Sequence, residues 1–89
     1  MTAQEKIVLY KNKAQEHCEG WYVTDPQVVS LCQSVMMTRD EFIMGGGFVQ
    51  AVVNNDLLRA VTNADPTSLQ YLKVITLAKN CYIHEEVYR

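Results

Sequence analysis

The chain has 89 residues, a formal net charge of −2 and a pI near 5.5. Hydrophobic residues make up 48% and charged residues 20%, which excludes a disordered chain and points to one folded domain over residues 1–89. The eight basic residues are scattered, which is a poor footprint for a duplex-DNA binder and disfavours nucleic acid as a partner.

A chain this short buries only about 60–65% of its unfolded surface, so its core is small and a partner subunit would help it. The three cysteines, Cys18, Cys32 and Cys81, are odd in number and lack CxxC spacing. That argues against a disulfide scaffold and for a reducing, intracellular setting. Met1–Lys6 has no basic region followed by an apolar run, and no stretch is long enough to span a membrane, so neither export nor a membrane partner is expected.

Thr2-Ala3-Gln4-Glu5 fits a capping box, and Ile7, Tyr10, Ala14 and His17 or Cys18 follow at helical spacing. The first helix is therefore predicted over about 3–18, with Gly20 as its stop. Trp21 and Tyr22 are adjacent aromatics in the connection. They serve either to plug the core or as a binding hot spot, where such residues are enriched. Thr24 with Gln27 fits a second capping box and Pro26 suits the first turn of a helix whose apolar face is Val28, Leu31, Cys32, Val35 and Met36. Thr38-Arg39-Asp40-Glu41 repeats the pattern and predicts a short helix holding Phe42, Ile43 and Met44.

The triplet Gly45-Gly46-Gly47 interrupts this run, and three glycines together need a reason, since each raises the entropy cost of ordering the backbone. Close approach of another element, an unusual backbone angle, or an anion cradled at a helix N-terminus would supply one. From Phe48 the spacing predicts a helix over about 47–63, then Asp65 as N-cap and Pro66 in the first turn of a helix over about 66–79. The short link makes these two an antiparallel helical hairpin. On the last helix Leu69, Leu72 and Ile75 form one stripe, and Val74 and Leu77 fall off it, which predicts a subunit interface at Val74 and Leu77. The tail from Cys81 to Arg89 fits a helical extension or a short strand.

Several chemistries find little footing. The glycine triplet lacks GxGxxG and a P-loop lysine. A zinc site would have to be assembled from His17, Cys18, Cys81 and His84, with neighbouring His17 and Cys18 both aimed inward. No catalytic surround accompanies any cysteine, and the neighbouring acids Asp40 and Glu41, or Glu85 and Glu86, project in different directions. The expectation is a non-enzymatic protein with no cofactor and no metal.

The segment Phe42 to Leu72, through Gly45-Gly46-Gly47-Phe48-Val49-Gln50-Ala51, then Ala60, Ala64-Asp65 and Leu69, resembles a group of small bacteriophage-encoded proteins of unassigned function. The resemblance implies a virus-derived, intracellular helical protein acting in the host cytoplasm. The sequence thus predicts an all-α domain of four or five short helices. Its expected role is that of a phage accessory protein that binds and inhibits or redirects a host protein, a component of host immunity being one such target, as a homodimer. The expected binding residues are Trp21, Tyr22, Gly45, Gly46, Gly47 and Phe48. Two alternatives are a small-ligand or nucleotide binder at the glycine segment and a structural or assembly protein of the virion.

Overall fold

The computed structural model describes residues 1–83. Among them six helices follow in order: α1 Ala3–Gly20, α2 Pro26–Arg39, α3 Gly47–Val53, α4 Leu57–Asn63, α5 Pro66–Gln70 and α6 Leu72–Leu77, closed by a 3-10 turn over Ala78–Asn80. No strand occurs among the described residues, and the class is all-α as the sequence predicts.

The N-terminal box forms as read. The Glu5 amide donates to Thr2 Oγ1 at 3.1 Å and the Thr2 amide donates to Glu5 Oε1 at 3.3 Å. Helices α1 and α2 run antiparallel, since Tyr10 meets Asp40 at one end and Cys18 meets Cys32 nearer the other. Helix α2 is the centre of the molecule, touching α1, α3, α5, α6 and the 3-10 turn. Its Val28, Cys32, Val35 and Met36 are wholly buried, against Tyr10, Ala14 and Cys18 of α1, Val49 and Ala51 of α3, and Ile75 of α6. A helix enclosed by several neighbours has no broad polar face, which is why α2 carries so few charged residues.

Several boundaries differ from the sequence reading. Asp25, not Thr24, caps α2, its Oδ1 accepting from the Gln27 amide at 2.9 Å, because Pro26 takes the first helical position and leaves Asp25 just outside it. Thr38 opens no helix. It lies buried at the end of α2, where its hydroxyl accepts from the Gly45 amide at 2.8 Å and donates to the Ile43 carbonyl at 3.4 Å, so residues 41–46 form a latched loop. The helix expected over 47–63 is two, broken at Asn54-Asn55-Asp56, with Asp56 Oδ1 capping α4 through the Arg59 amide at 3.1 Å. The antiparallel hairpin is therefore α3 with α4, whose opposite ends meet where Gly47 faces Asn63. The last helix bends at Tyr71, where φ −106° and ψ 23° leave the helical region. The Asp65 cap and Pro66 are as predicted, the Ser68 amide donating to Asp65 Oδ1 at 2.7 Å.

Three helix ends share one device. Tyr22, Glu41 and Asn55 have φ of 58°, 57° and 59°, and each is followed by a residue whose amide reaches back five positions: Val23 to the Cys18 carbonyl, Phe42 to Met37 and Asp56 to Ala51. These are Schellman ends in which a side-chain-bearing residue occupies the left-handed position usually given to glycine. Gly20, expected to stop α1, is its last helical residue instead.

A charged network closes the molecule. Buried Tyr10 donates its hydroxyl to Asp40 Oδ2 at 2.7 Å, and Arg39 donates to both Asp40 oxygens at 2.8 Å. The remaining terminal nitrogen of Arg39 donates to the carbonyls of Lys79, at 2.8 Å, and Cys81. Arg39 holds the Asp40 carboxyl below the ordinary value of 3.8, helped by the Tyr10 hydroxyl and opposed by partial burial. A folded-state value lowered in this way contributes stability that is complete above the ordinary carboxylate range and is lost as pH falls through the folded value. Asp40→Asn is expected to lower stability at neutral pH and to flatten the loss of stability on acidification. Urea unfolding between about pH 7 and pH 3 checks this, and a variant that tracks the wild type throughout would show the carboxylate to be unimportant.

Candidate functional site

The aromatic corner is made by the end of α1. Tyr22 donates its amide to the Glu19 carbonyl and Val23 its amide to the Cys18 carbonyl, which turns Val23 into the core and Tyr22 away from it. Tyr22 is 95% exposed and Trp21 41% exposed, so the residue that plugs this end of the core is Val23. The Lys73 ammonium lies 5.3 Å from the Trp21 ring centroid, a cation–π distance that links the corner to α6. An L-residue in the left-handed region costs roughly 1–2 kcal/mol, and a large side chain there is unusual. Tyr22 thus sits on strained backbone while contributing nothing to the core.

The glycine segment is a packing joint. A Cβ on Gly45 would lie 2.6 Å from Ser34 Oγ and 2.9 Å from Val49 Cβ, while one on Gly46 meets nothing within 4 Å and one on Gly47 comes no nearer than 3.9 Å to Asn63. The Gly45 amide is held by Thr38, and its carbonyl accepts from Gln50 Nε2 at 2.7 Å. Gly46 is the N-cap of α3 without a side-chain cap, Gly47 begins the helix, and Phe48 is a core residue rather than a surface contact. Trp21 and Tyr22 precede the N-terminus of α2, whereas Gly45 packs on its C-terminal half, so the predicted binding residues fall at two separate places.

Val74 belongs to the core and Leu77 is half-buried, which corrects the premise that one core has no room for them. The bend at Tyr71 rephases the helix, so Val74 and Ile75 turn inward together and Leu69 is left half-exposed. A cluster of exposed apolar side chains lies on α4, which buries Ala60 alone. Leu57, Leu58 and Val61 are exposed there, beside a shallow groove of about 190 Å³ whose walls include Val52, Asn55, Leu57, Ala60 and Thr76.

His17 and Cys18 do both turn inward, because α2 flanks α1 on one side and the α6–Cys81 segment on the other. Cys18 Sγ is 3.7 Å from Cys32 Sγ, and His17 bonds to the Val74 carbonyl at 2.8 Å and to Cys81 Sγ at 3.4 Å. Burial pushes all three thiols above their ordinary value, Cys32 most. No three His, Cys, Asp or Glu side chains converge as a metal requires among the described residues, and His84 lies outside them, as does the tail beyond Ile83. No helix there is long and apolar enough to cross a membrane. Compared with protein-family models, curated proteins and solved structures, the chain matches none.

The glycines differ in what they tolerate. Gly45→Ala is expected to destabilise by about 1–3 kcal/mol, because the Val49 Cβ it meets is fixed by the α3 backbone. Gly46→Ser supplies the missing cap and is expected to stabilise by a few tenths of a kcal/mol. Thermal melting of the two variants checks the contrast, and equal melting would make the triplet a loose joint.

Proposed function

We propose that the protein acts by stoichiometric binding rather than catalysis, and that its partner is another protein held at the Trp21–Tyr22 corner. Tyr22 carries the proposal. It is a large aromatic held almost fully in solvent, on a backbone angle that glycine would occupy without strain. Strained residues of this kind cluster at binding sites, and Trp and Tyr dominate the energetics of protein interfaces. The resemblance of residues 42–72 to phage-encoded proteins supports a host protein as the partner and a phage accessory protein, inhibiting or redirecting it in the host cytoplasm, as the setting. A ligand site at the glycine triplet has less support, because both backbone groups of Gly45 are already bonded within the chain.

Tyr22→Gly separates binding from folding. It should raise the melting temperature, by relief of about 1 kcal/mol of strain, while abolishing capture of the partner from host lysate. A variant that still captures the same partner in one-to-one amount would overturn the assignment of the corner.

A homodimer belongs to the same reading, with its contact moved to α4. Leu57, Leu58 and Val61 form one exposed apolar face, of the kind soluble monomers keep small, and closed two-fold pairing is the commonest way to cover it. Light scattering is expected to give twice the chain mass, and Leu58→Glu to give folded monomers. Val74→Glu should instead unfold the chain, because it buries a charge in the core. A monomer mass for the unmodified protein would end the dimer proposal.

A further inference from the structure

Cys81 and His17 are 64 residues apart in sequence, and neither has a role in the corner or the α4 face. His17 Nε2 stands 2.8 Å from the Val74 carbonyl oxygen. A carbonyl only accepts, so Nε2 carries the hydrogen and Nδ1 of the neutral ring keeps its lone pair. That lone pair faces Cys81 Sγ at 3.4 Å, so the thiol donates to it. A nucleophile bonded to a base, with the base oriented by a third group, is the arrangement that activates a weak nucleophile. Cys81 is held in place from both sides of its backbone, its amide donating to the Ala78 carbonyl at 3.1 Å and its carbonyl accepting from Arg39.

The geometry points to Cys81 as a base-assisted nucleophilic thiol that forms a mixed disulfide with a low-molecular-weight disulfide. Cys81 Sγ bonds to the nearer sulfur of the reagent as the S–S bond breaks, and the electron pair leaves on the farther sulfur. The Cys81 proton passes to His17 Nδ1 and from there to the departing thiolate. Cys81 is oxidised and the reagent is reduced to one free thiol, so the exchange balances. Selectivity follows from burial, since Cys18 and Cys32 are sealed in the core and Cys81 is only partly covered. Burial alone would keep the Cys81 thiol protonated and slow at neutral pH. His17 supplies the proton acceptor that offsets this.

The test uses the whole folded chain with glutathione disulfide as the reagent, followed by intact and peptide mass. One glutathione adduct mapping to Cys81 is expected, formed more slowly in D2O than in water. His17→Gln, with its helical circular dichroism unchanged, should react about 10²-fold more slowly. A first adduct on Cys18 or Cys32, a His17→Gln rate equal to the wild type, or no slowing in D2O would overturn the proposal. The D2O comparison needs no substitution and decides the matter if His17→Gln fails to fold.

Discussion

Arg39 is the residue through which the two ends of the chain are held together. A guanidinium offers five N–H donors in a planar fork, and here they are shared between the Asp40 carboxylate and the carbonyls of Lys79 and Cys81. Asp40 in turn receives the hydroxyl of buried Tyr10, so α1, α2 and the 3-10 turn converge on one partly buried charge. Hydrogen bonds to charged groups contribute about 1.5–3 kcal/mol, a large share of the stability of so small a domain. The Tyr82 ring covers the guanidinium at 4.1 Å and withdraws it further from solvent. The position of Cys81 follows from this arrangement. Arg39 on its carbonyl and the 3-10 turn on its amide fix the thiol opposite His17, with Cys81 packed against the core.

The distribution of apolar residues separates folding from recognition. The core is made by residues that α2 gathers from every side, and the strongest binding candidates lie outside it. Tyr22 projects from a helix end, and Leu57 and Leu58 project from a helix that the core barely uses. Substitutions there should change association without changing the fold. Phe48 and Val74 were expected among the contact residues, but both are needed inside.

Much of the architecture could be read from local chemistry. The Thr2 box, Pro26 and the Asp65–Pro66 start are written in residues that make their own bonds, and they form as read. Two of the differences have separate origins. Glycine was expected to mark the helix ends, yet the left-handed positions belong to Tyr22, Glu41 and Asn55, and no glycine has positive φ. Of these only Asn55 carried a usable signal, as an asparagine two residues into Asn54-Asn55-Asp56, where one helix's end meets the next one's cap. The bend at Tyr71 follows no glycine or proline, so a single helical periodicity counted across it does not give the buried face. Trp21 and Tyr22 were legible as candidates by type alone. The His17–Cys81 pair was not, because it exists only once the last turn has folded back onto α1.

Helix α4 commits a single side chain, Ala60, to the interior. Its hold on the rest of the molecule is correspondingly slight, depending on that methyl group, on the Asp56 cap and on its hairpin with α3. Segments with so few buried contacts open at a fraction of the global unfolding free energy, as independent cooperative units. In hydrogen exchange the amides of residues 57–63 should therefore lose protection well before those of α2. Pairing of two copies through Leu57, Leu58 and Val61 would restore that protection, so the exchange of this one helix would report the assembly of the chain.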